Sequence, residues 1–147
     1  MEAPHDITLT LRSDARLLKA VRGMVRGFVL DAGFSEDKTA EIVLAVDEAC
    51  ANAIRHAYHG SPRRPVMMTL DQADGWVKIE VCDEGIPAPI EKLQKCMDDV
   101  GTGDDLKPGG LGVPLMRHVF DEVCFEPGVE RGNRIAMRIR HPKKNEG

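Results

Sequence analysis

The chain has 147 residues, of which 42% are hydrophobic, 30% charged and only 4% aromatic, and its formal net charge is −4. These values predict one globular domain with an aliphatic core, and a chain of this length needs no disulfide or structural metal to stabilise it. The negative charge argues against a nucleic-acid surface, and no apolar run could span a bilayer. Because no CxxC spacing occurs, we expect reduced, mostly buried thiols in a cytoplasmic protein: Cys50, Cys82, Cys96 and Cys124.

The start of the chain predicts one strand and one helix. Residues 7–11 alternate as a half-buried strand does. Either Ser13 or Asp14 can cap the helix that follows, and Gly33 is suited to end it. Five basic residues recur along this part of the chain, and we interpret them as a solvated face, with docking of an acidic protein as the alternative. They are Arg12, Arg16, Lys19, Arg22 and Arg26.

The next segment predicts a second helix and a hairpin. The helix is expected to begin after Ser35 and to reach residue 60, and its many small residues indicate close packing against a sheet. Two strands, 66–70 and 76–82, follow with Asp74-Gly75 as the turn between them.

From residue 83 to 110 the chain is rich in Gly and Pro, which predicts a mobile lid over about 84–109 with one short helical stretch at 90–97. A helix at 111–120, strands at 122–125 and 135–140, and a loose tail at 142–147 complete the order. We therefore predict one α+β domain over 1–147, with its core at about 7–140, as a sandwich with helices on one face of a mixed or antiparallel sheet.

Three motifs carry candidate chemistry, although each alone is more simply a surface or a turn. Glu48 and Asn52 lie four residues apart, so they project from one face of the second helix. The amide oxygen of Asn52 is a ligand that Mg²⁺ accepts beside phosphate oxygens. Glu48 is a candidate base for phosphoryl transfer to a hydroxyl or a water.

The other two motifs suit a nucleotide. Asp83-x-Gly85 follows an apolar strand, where a carboxylate can accept a hydrogen bond from an exocyclic amine such as that of adenine, and the glycine permits close backbone approach. Residues 109–112 (Gly-Gly-Leu-Gly) stand at a loop-to-helix junction, where backbone N–H groups and the helix dipole favour an anion.

Taken together, the order and spacing of the three motifs resemble those of the GHKL, or Bergerat-fold, ATPases. The family's N box and two glycine boxes correspond to residues 48–52, 83–85 and 110–112. Residues 46–58 are most similar to the matching helix of bacterial anti-sigma-factor serine kinases, and the resemblance covers about residues 7–140.

The resemblance implies a Bergerat α/β sandwich that binds ATP with Mg²⁺. Asn52 would hold the Mg²⁺, and Glu48 would be the general base that takes the proton from a serine or threonine hydroxyl of a protein substrate. Asp83 would bind the adenine amine. The other ATP-binding residues that it implies are Gly85, Lys107, Gly110, Leu111, Gly112 and Asn133.

The resemblance also implies partners: a sigma factor that is sequestered, an anti-sigma factor antagonist that is phosphorylated, and a second copy in a homodimer, without nucleic acid or membrane. Three departures from the family pattern are Pro87 in place of a glycine, Asn133 where a threonine is common, and Pro108 in place of a basic residue. They leave open a second hypothesis, a regulatory binding module of the same fold without significant kinase activity. A histidine kinase and a chaperone- or gyrase-type ATPase are disfavoured, since neither a phosphoacceptor helix pair nor a transducer domain is recognisable.

Overall fold

The structure is a computed structural model that describes residues 4–88 and 113–142. The strands are β1 (Ile7–Arg12), β2 (Pro65–Ala73), β3 (Trp76–Asp83), β4 (Glu122–Pro127) and β5 (Asn133–Arg140). The helices are α1 (Leu18–Ala32), α2 (Glu36–Asn52) and α3 (Val113–Val119), with a 3₁₀ turn at Ala15–Leu17 and a π-helical turn at Ala53–Ala57.

The five strands form one sheet in the order β1-β2-β3-β5-β4. Every neighbouring pair is antiparallel, so of the two sheet types that we expected the antiparallel one is present and the mixed one is not among the described strands. The helices pack on one face, which confirms the predicted α+β sandwich.

Local sequence signals set the ends of the helices. Of the two predicted caps for the first helical segment, Asp14 is the one used, and its Oδ1 accepts a hydrogen bond from the Arg16 N–H at 2.9 Å. Gly33 ends α1 in the left-handed conformation with φ 108°. Ser35 caps α2 by accepting from the Lys38 N–H at 3.1 Å.

The second helix differs from its prediction near its end. It is α-helical only as far as Asn52, and then continues as the π-helical turn Ala53–Ala57. The Tyr58 N–H accordingly donates to the Ala53 carbonyl, five residues earlier, at 2.9 Å. A π-helical turn inside or after an α-helix is uncommon and often marks a functional site.

The core lies between the helices and one face of the sheet. Side chains on that face alternate along the central strands and are buried: Val66, Met68, Leu70, Val77, Ile79, Val81, Ile135, Met137 and Ile139. The helices cover them with aliphatic residues, among them Val25, Val29, Ile42 and Val46. Burial of this aliphatic surface is the main stabilising term of the fold.

The opposite face of the sheet is polar. Glu80 forms ion pairs with Lys78 and Arg134 on this face. At one end of the sheet, the guanidinium groups of Arg138 and Arg140 lie over the Trp76 ring, at 4.1 and 4.5 Å from its centroid.

Two cysteines also lie on the polar face: Cys82 is half-buried and Cys124 is exposed, whereas Cys50 is in the core. The prediction of mostly buried thiols is therefore wrong for Cys82 and Cys124. Both positions alternate with core residues along their strands, and so they point away from the helices.

The basic residues of the first helical segment are largely engaged in ion pairs. Arg22 pairs with Asp47 at 2.9 Å, and Arg26 pairs with Glu36 at 2.7 Å. Both pairs join α1 to α2, and all four side chains keep part of their surface exposed. These arginines thus lie on a solvated face, as predicted, and they also help to align the two helices.

The hairpin turn is confirmed, since Asp74 and Gly75 have positive φ angles of 55° and 85°. Residues 89–109 of the predicted lid, the helical stretch 90–97 and residues 143–147 of the tail lie outside the described residues. None of the described helices is both long and apolar enough to cross a membrane.

Candidate functional site

A cavity of about 230 Å³ lies between the end of α2 with its π-helical turn and the ends of β3, β4 and β5. It brings together three residues that the sequence singled out, Asn52, Asp83 and Asn133. The remaining lining residues are Ala49, Ala53, His56, Ala57, Val81, Ile86, Pro87, Ala88, Phe125 and Ile135.

One wall of the cavity is a row of small side chains on the helix. Ala49, Ala53 and Ala57 follow one another at intervals of four residues and are each at most 5% exposed. They face the apolar side chains of Val81 and Ile135 on the sheet. From the sequence we expected these small residues to pack closely against the sheet. At these three positions they instead leave a slot with apolar walls, which suits a flat ring.

Asp83 supplies the carboxylate of the cavity. Its Oδ1 accepts hydrogen bonds from the Gly85 N–H at 2.8 Å and from the Asn133 Nδ2 at 3.0 Å. Burial raises the pKa of Asp83 above its ordinary value, and these two hydrogen bonds oppose that rise because they favour the ionised form. The site therefore holds a carboxylate that is partly desolvated and fixed in orientation.

Asn133 lies opposite Asp83 in the register of β3 and β5. Besides its bond to Asp83, its Nδ2 donates to the Ile86 carbonyl at 3.0 Å, and its Oδ1 accepts from the Ala88 N–H at 2.8 Å. One side chain thus joins the carboxylate to the chain segment that forms a wall of the cavity. These contacts span 45 to 50 residues of sequence.

Asn52, at the end of α2, is 8% exposed and lines the same cavity as Asp83. His56 also lines this cavity. The π-helical turn that begins directly after Asn52 sets the direction in which the residues up to Ala57 approach the cavity.

Gly85 does not line the main cavity, but the fold requires a glycine there. A Cβ at this position would lie 2.3 Å from the Ala57 carbonyl oxygen. The neighbouring Ile86 N–H donates to that oxygen at 2.9 Å, and the Gly85 carbonyl accepts from the Gly132 N–H at 2.6 Å. The glycine therefore lets the segment after β3 lie directly against the end of the helix.

Tyr58 is a site-supporting residue that the sequence analysis missed. Its hydroxyl donates to the Pro65 carbonyl and accepts from the Glu84 N–H, both at 2.6 Å. Burial raises the pKa of Tyr58, so the hydroxyl stays protonated and able to donate. The sequence shows a tyrosine directly after a helix that carries polar residues. It does not show which groups the hydroxyl contacts, because these partners are not local in sequence.

Glu48 lies one turn before Asn52 on α2, but among the described residues it does not line the cavity. Its Oε1 instead pairs with the Arg55 guanidinium at 2.9 Å, and 28% of the Glu48 side chain is exposed. The structure thus places the predicted base beside the cavity, on the solvent side, in contact with a cation.

Residues 11–139 of the chain match the histidine kinase-like ATPase domain. The chain belongs to this family. An anti-sigma F factor of Geobacillus stearothermophilus is 32% identical over 124 residues, which cover 84% of each chain. A serine-protein kinase RsbW of Bacillus licheniformis is 33% identical over 120 residues, which cover 80% of this chain and 74% of the relative.

Solved structures agree on the fold of this ATPase domain. A chain of the SiaB–SiaC complex from Pseudomonas aeruginosa superposes with a TM-score of 0.70 over 92% of this chain and 89% of that one, at 8% identity. The RsbU and RsbW domains of a Mycobacterium tuberculosis protein superpose with a TM-score of 0.57 at 22% identity, covering 95% of this chain and 33% of that one.

The ATPase-family site is only partly visible in the described residues. Lys107, Gly110, Leu111 and Gly112, which were predicted to contact ATP, lie outside them. Within the described residues, no group of three His, Cys, Asp or Glu side chains could hold a metal. The residues of the site could therefore bind Mg²⁺ only together with phosphate oxygens and water. The amide oxygen of Asn52 could supply one ligand to such an ion.

Proposed function

We propose that this protein is an anti-sigma-factor-type serine/threonine kinase. It binds ATP with Mg²⁺, sequesters a sigma factor and phosphorylates an anti-sigma factor antagonist. The observation that carries the proposal is the placement of Asn52 and the Asp83 carboxylate in one slot with apolar walls, in a chain of the histidine kinase-like ATPase family. The names of its relatives, an anti-sigma F factor and a serine-protein kinase, support the biological role.

The cavity has the parts that adenine recognition needs. The alanine row and the opposite Val81 and Ile135 would enclose the faces of the ring, and Asp83 would accept a hydrogen bond from its amine. A buried carboxylate that loses its partner is costly, so a base with an amine at this position is favoured over one with a carbonyl. Asn52 would then lie toward the phosphates and hold Mg²⁺. When it is bound, Mg²⁺ neutralises the negative charge of the phosphates.

Glu48 is the proposed general base for the partner's hydroxyl. Its position on the solvent side of the helix leaves it open to a protein substrate. An exposed ion pair contributes at most about 1 kcal/mol, so release from Arg55 would slow the reaction by no more than about fivefold. The pairing is therefore compatible with a catalytic role.

Nucleotide binding is tested by calorimetry with ATP and Mg²⁺ on the wild type, Asn52→Ala and Asp83→Asn. We expect Asp83→Asn to weaken binding by about 10- to 100-fold, because a hydrogen bond to a charged group is worth about 1.5–3 kcal/mol. Asp71→Asn is the matched control, since Asp71 lies in β2, contacts His5 before the first strand and does not line the cavity. A wild type that does not bind ATP would refute the proposal.

A binding module without kinase activity is the second candidate, and the contact of Glu48 with Arg55 favours it. The two are separated by incubating the protein with labelled ATP, Mg²⁺ and the antagonist. If the protein is a kinase, the wild type transfers label to a serine or threonine of the antagonist. The Glu48→Gln variant then transfers none, although it still binds ATP. A binding module retains the sigma factor on a column without any transfer.

The proposal also includes a homodimer. Within the described sheet, β1 is an edge strand, and its Leu9 and Leu11 line a shallow apolar surface pocket together with Met24 of α1. Sedimentation equilibrium of the full chain tests this part, and a monomer at all concentrations would refute it.

A further inference from the structure

The side chain of Asn133 makes three hydrogen bonds to one short part of the chain, residues 83–88. An asparagine amide has two N–H donors and one acceptor oxygen. Both donors are in use, toward Asp83 Oδ1 and the Ile86 carbonyl, each at 3.0 Å. The oxygen accepts from the Ala88 N–H at 2.8 Å. No donor of this side chain is left over for a nucleotide.

The two carboxylate oxygens of Asp83 differ in the hydrogen bonds that they accept. Its Oδ1 accepts from both the Gly85 N–H and the Asn133 amide. Among the side-chain hydrogen bonds of the described residues, Oδ2 has only the long contact with the Asn133 Nδ2, at 3.4 Å, and the Asn133 backbone N–H also favours the ionised carboxylate. Oδ2 is therefore the oxygen with capacity to accept from a ligand.

We propose that Asn133 is a positioning residue for base recognition, which fixes the Asp83 carboxylate relative to the cavity wall at Ile86–Ala88 without contacting the base. This inference rests on the proposed ATP binding. It replaces the direct ATP contact that the sequence analysis expected of Asn133. The ligand class is a purine nucleotide whose amine donates to Asp83 Oδ2.

An asparagine at this position can make contacts that a threonine cannot. A hydroxyl has one donor, so it can hold the Asp83 carboxylate or the Ile86 carbonyl, but not both. Its reach is also shorter than that of an amide. With Asn133, the carboxylate and the wall are held by one rigid planar group, so the width of the slot beside the base is fixed. Adenine presents an amine to this carboxylate, whereas guanine presents an acceptor oxygen that it would repel.

The first test uses the protein without nucleotide. In the full chain, we compare the wild type with Asn133→Thr and Asn133→Leu, and use Gln72→Leu as a matched amide-to-leucine control at the other end of the sheet. NMR measures hydrogen exchange at the Ala88 amide and the titration of the Asp83 carboxyl carbon. We expect Ala88 exchange to accelerate at least tenfold in both Asn133 variants, because both remove the amide oxygen that accepts from the Ala88 N–H and a threonine hydroxyl has a shorter reach.

The pKa of Asp83 is expected to rise in Asn133→Leu, since a hydrogen bond that favours the ionised form is removed, and to rise less in Asn133→Thr. The variant and the wild type keep the same neighbouring groups in the cavity, His56 among them, so the difference between their Asp83 titrations reports on the loss of the Asn133 amide. Unchanged Ala88 exchange together with an unchanged Asp83 titration in both variants would overturn the inference.

The second test compares ATP and GTP binding by calorimetry. We expect Asn133→Leu to bind ATP about tenfold more weakly, and Asn133→Thr to keep ATP binding within about threefold while discriminating less against GTP. Equal loss of ATP binding in both variants, with Ala88 exchange unchanged, would show direct contact and refute positioning. Failure of the wild type to bind ATP would refute the proposed function instead, and the exchange and titration experiments would still decide the role of Asn133.

Discussion

Replacement of Gly85 by alanine tests how the segment after β3 is seated on the end of the helix. The new Cβ would lie 2.3 Å from the Ala57 carbonyl oxygen and 2.6 Å from its carbon. Both are backbone atoms, which cannot rotate away as a side chain can. Cβ contacts shorter than 3.0 Å are essentially absent from proteins, so the two segments must separate by about 0.7 Å.

The separation would strain two backbone hydrogen bonds, from Ile86 to the Ala57 carbonyl and from Gly132 to the Gly85 carbonyl. Each is worth about 1 kcal/mol, and overpacking itself costs about 1–3 kcal/mol. Because separation relieves part of the clash, we expect the free energy of unfolding to fall by about 2–4 kcal/mol in total. ATP affinity should fall as well, since the displaced segment carries a cavity wall.

The assay is urea unfolding followed by circular dichroism, with Gly23→Ala as the control. Gly23 lies in α1 with open space around the position of a Cβ, so alanine there should stabilise by about 0.5–1 kcal/mol. A Gly85→Ala protein that unfolds within about 1 kcal/mol of the wild type, with unchanged ATP affinity, would refute this reasoning.

Three further predictions concern single side chains. Tyr58→Phe should lower the free energy of unfolding by about 1–3 kcal/mol, measured by urea unfolding, because the partly buried N–H of Glu84 loses its acceptor. Hydrogen bonds from Arg16 hold the pKa of Asp14 at about 2 against an ordinary 3.8, so its stabilising contribution is complete above pH 4 and disappears as the pH falls toward 2. Unfolding series at several pH values should show this loss in the wild type and not in Asp14→Asn. Arg55→Met should change the rate of phosphoryl transfer by less than about fivefold and leave ATP affinity unchanged, since its exposed pair with Glu48 is weak.

The features predicted best from the sequence are those decided by one or two neighbouring residues. Gly33 and Ser35 define the end of one helix and the start of the next because their own backbone and side chain perform the capping. Asp74-Gly75 likewise sets the hairpin, since its turn requires positive φ at both positions.

Features that depend on distant residues were not predictable in the same way. The bond between Asn133 and Asp83 exists only because β5 pairs with β3, and the two residues are 50 positions apart. The change from α- to π-helical hydrogen bonding after Asn52 has no signal in the residue types, since Ala53 and its neighbours are ordinary helix formers. The placement of Cys82 on the polar face could have been predicted, because it alternates with the buried Val81 along β3.

The placement of Trp76 has a practical consequence for spectroscopy. It is the one tryptophan of the chain and lies under the guanidinium groups of Arg138 and Arg140, whose strand pairs with its own. Asp83 lies seven positions further along β3, a distance of about 23 Å along the strand. Its emission should therefore change when β5 detaches from β3 and stay nearly constant when a nucleotide enters the slot. Intrinsic fluorescence is thus suited to following the integrity of the sheet, whereas ligand titrations need a fluorophore carried by the nucleotide.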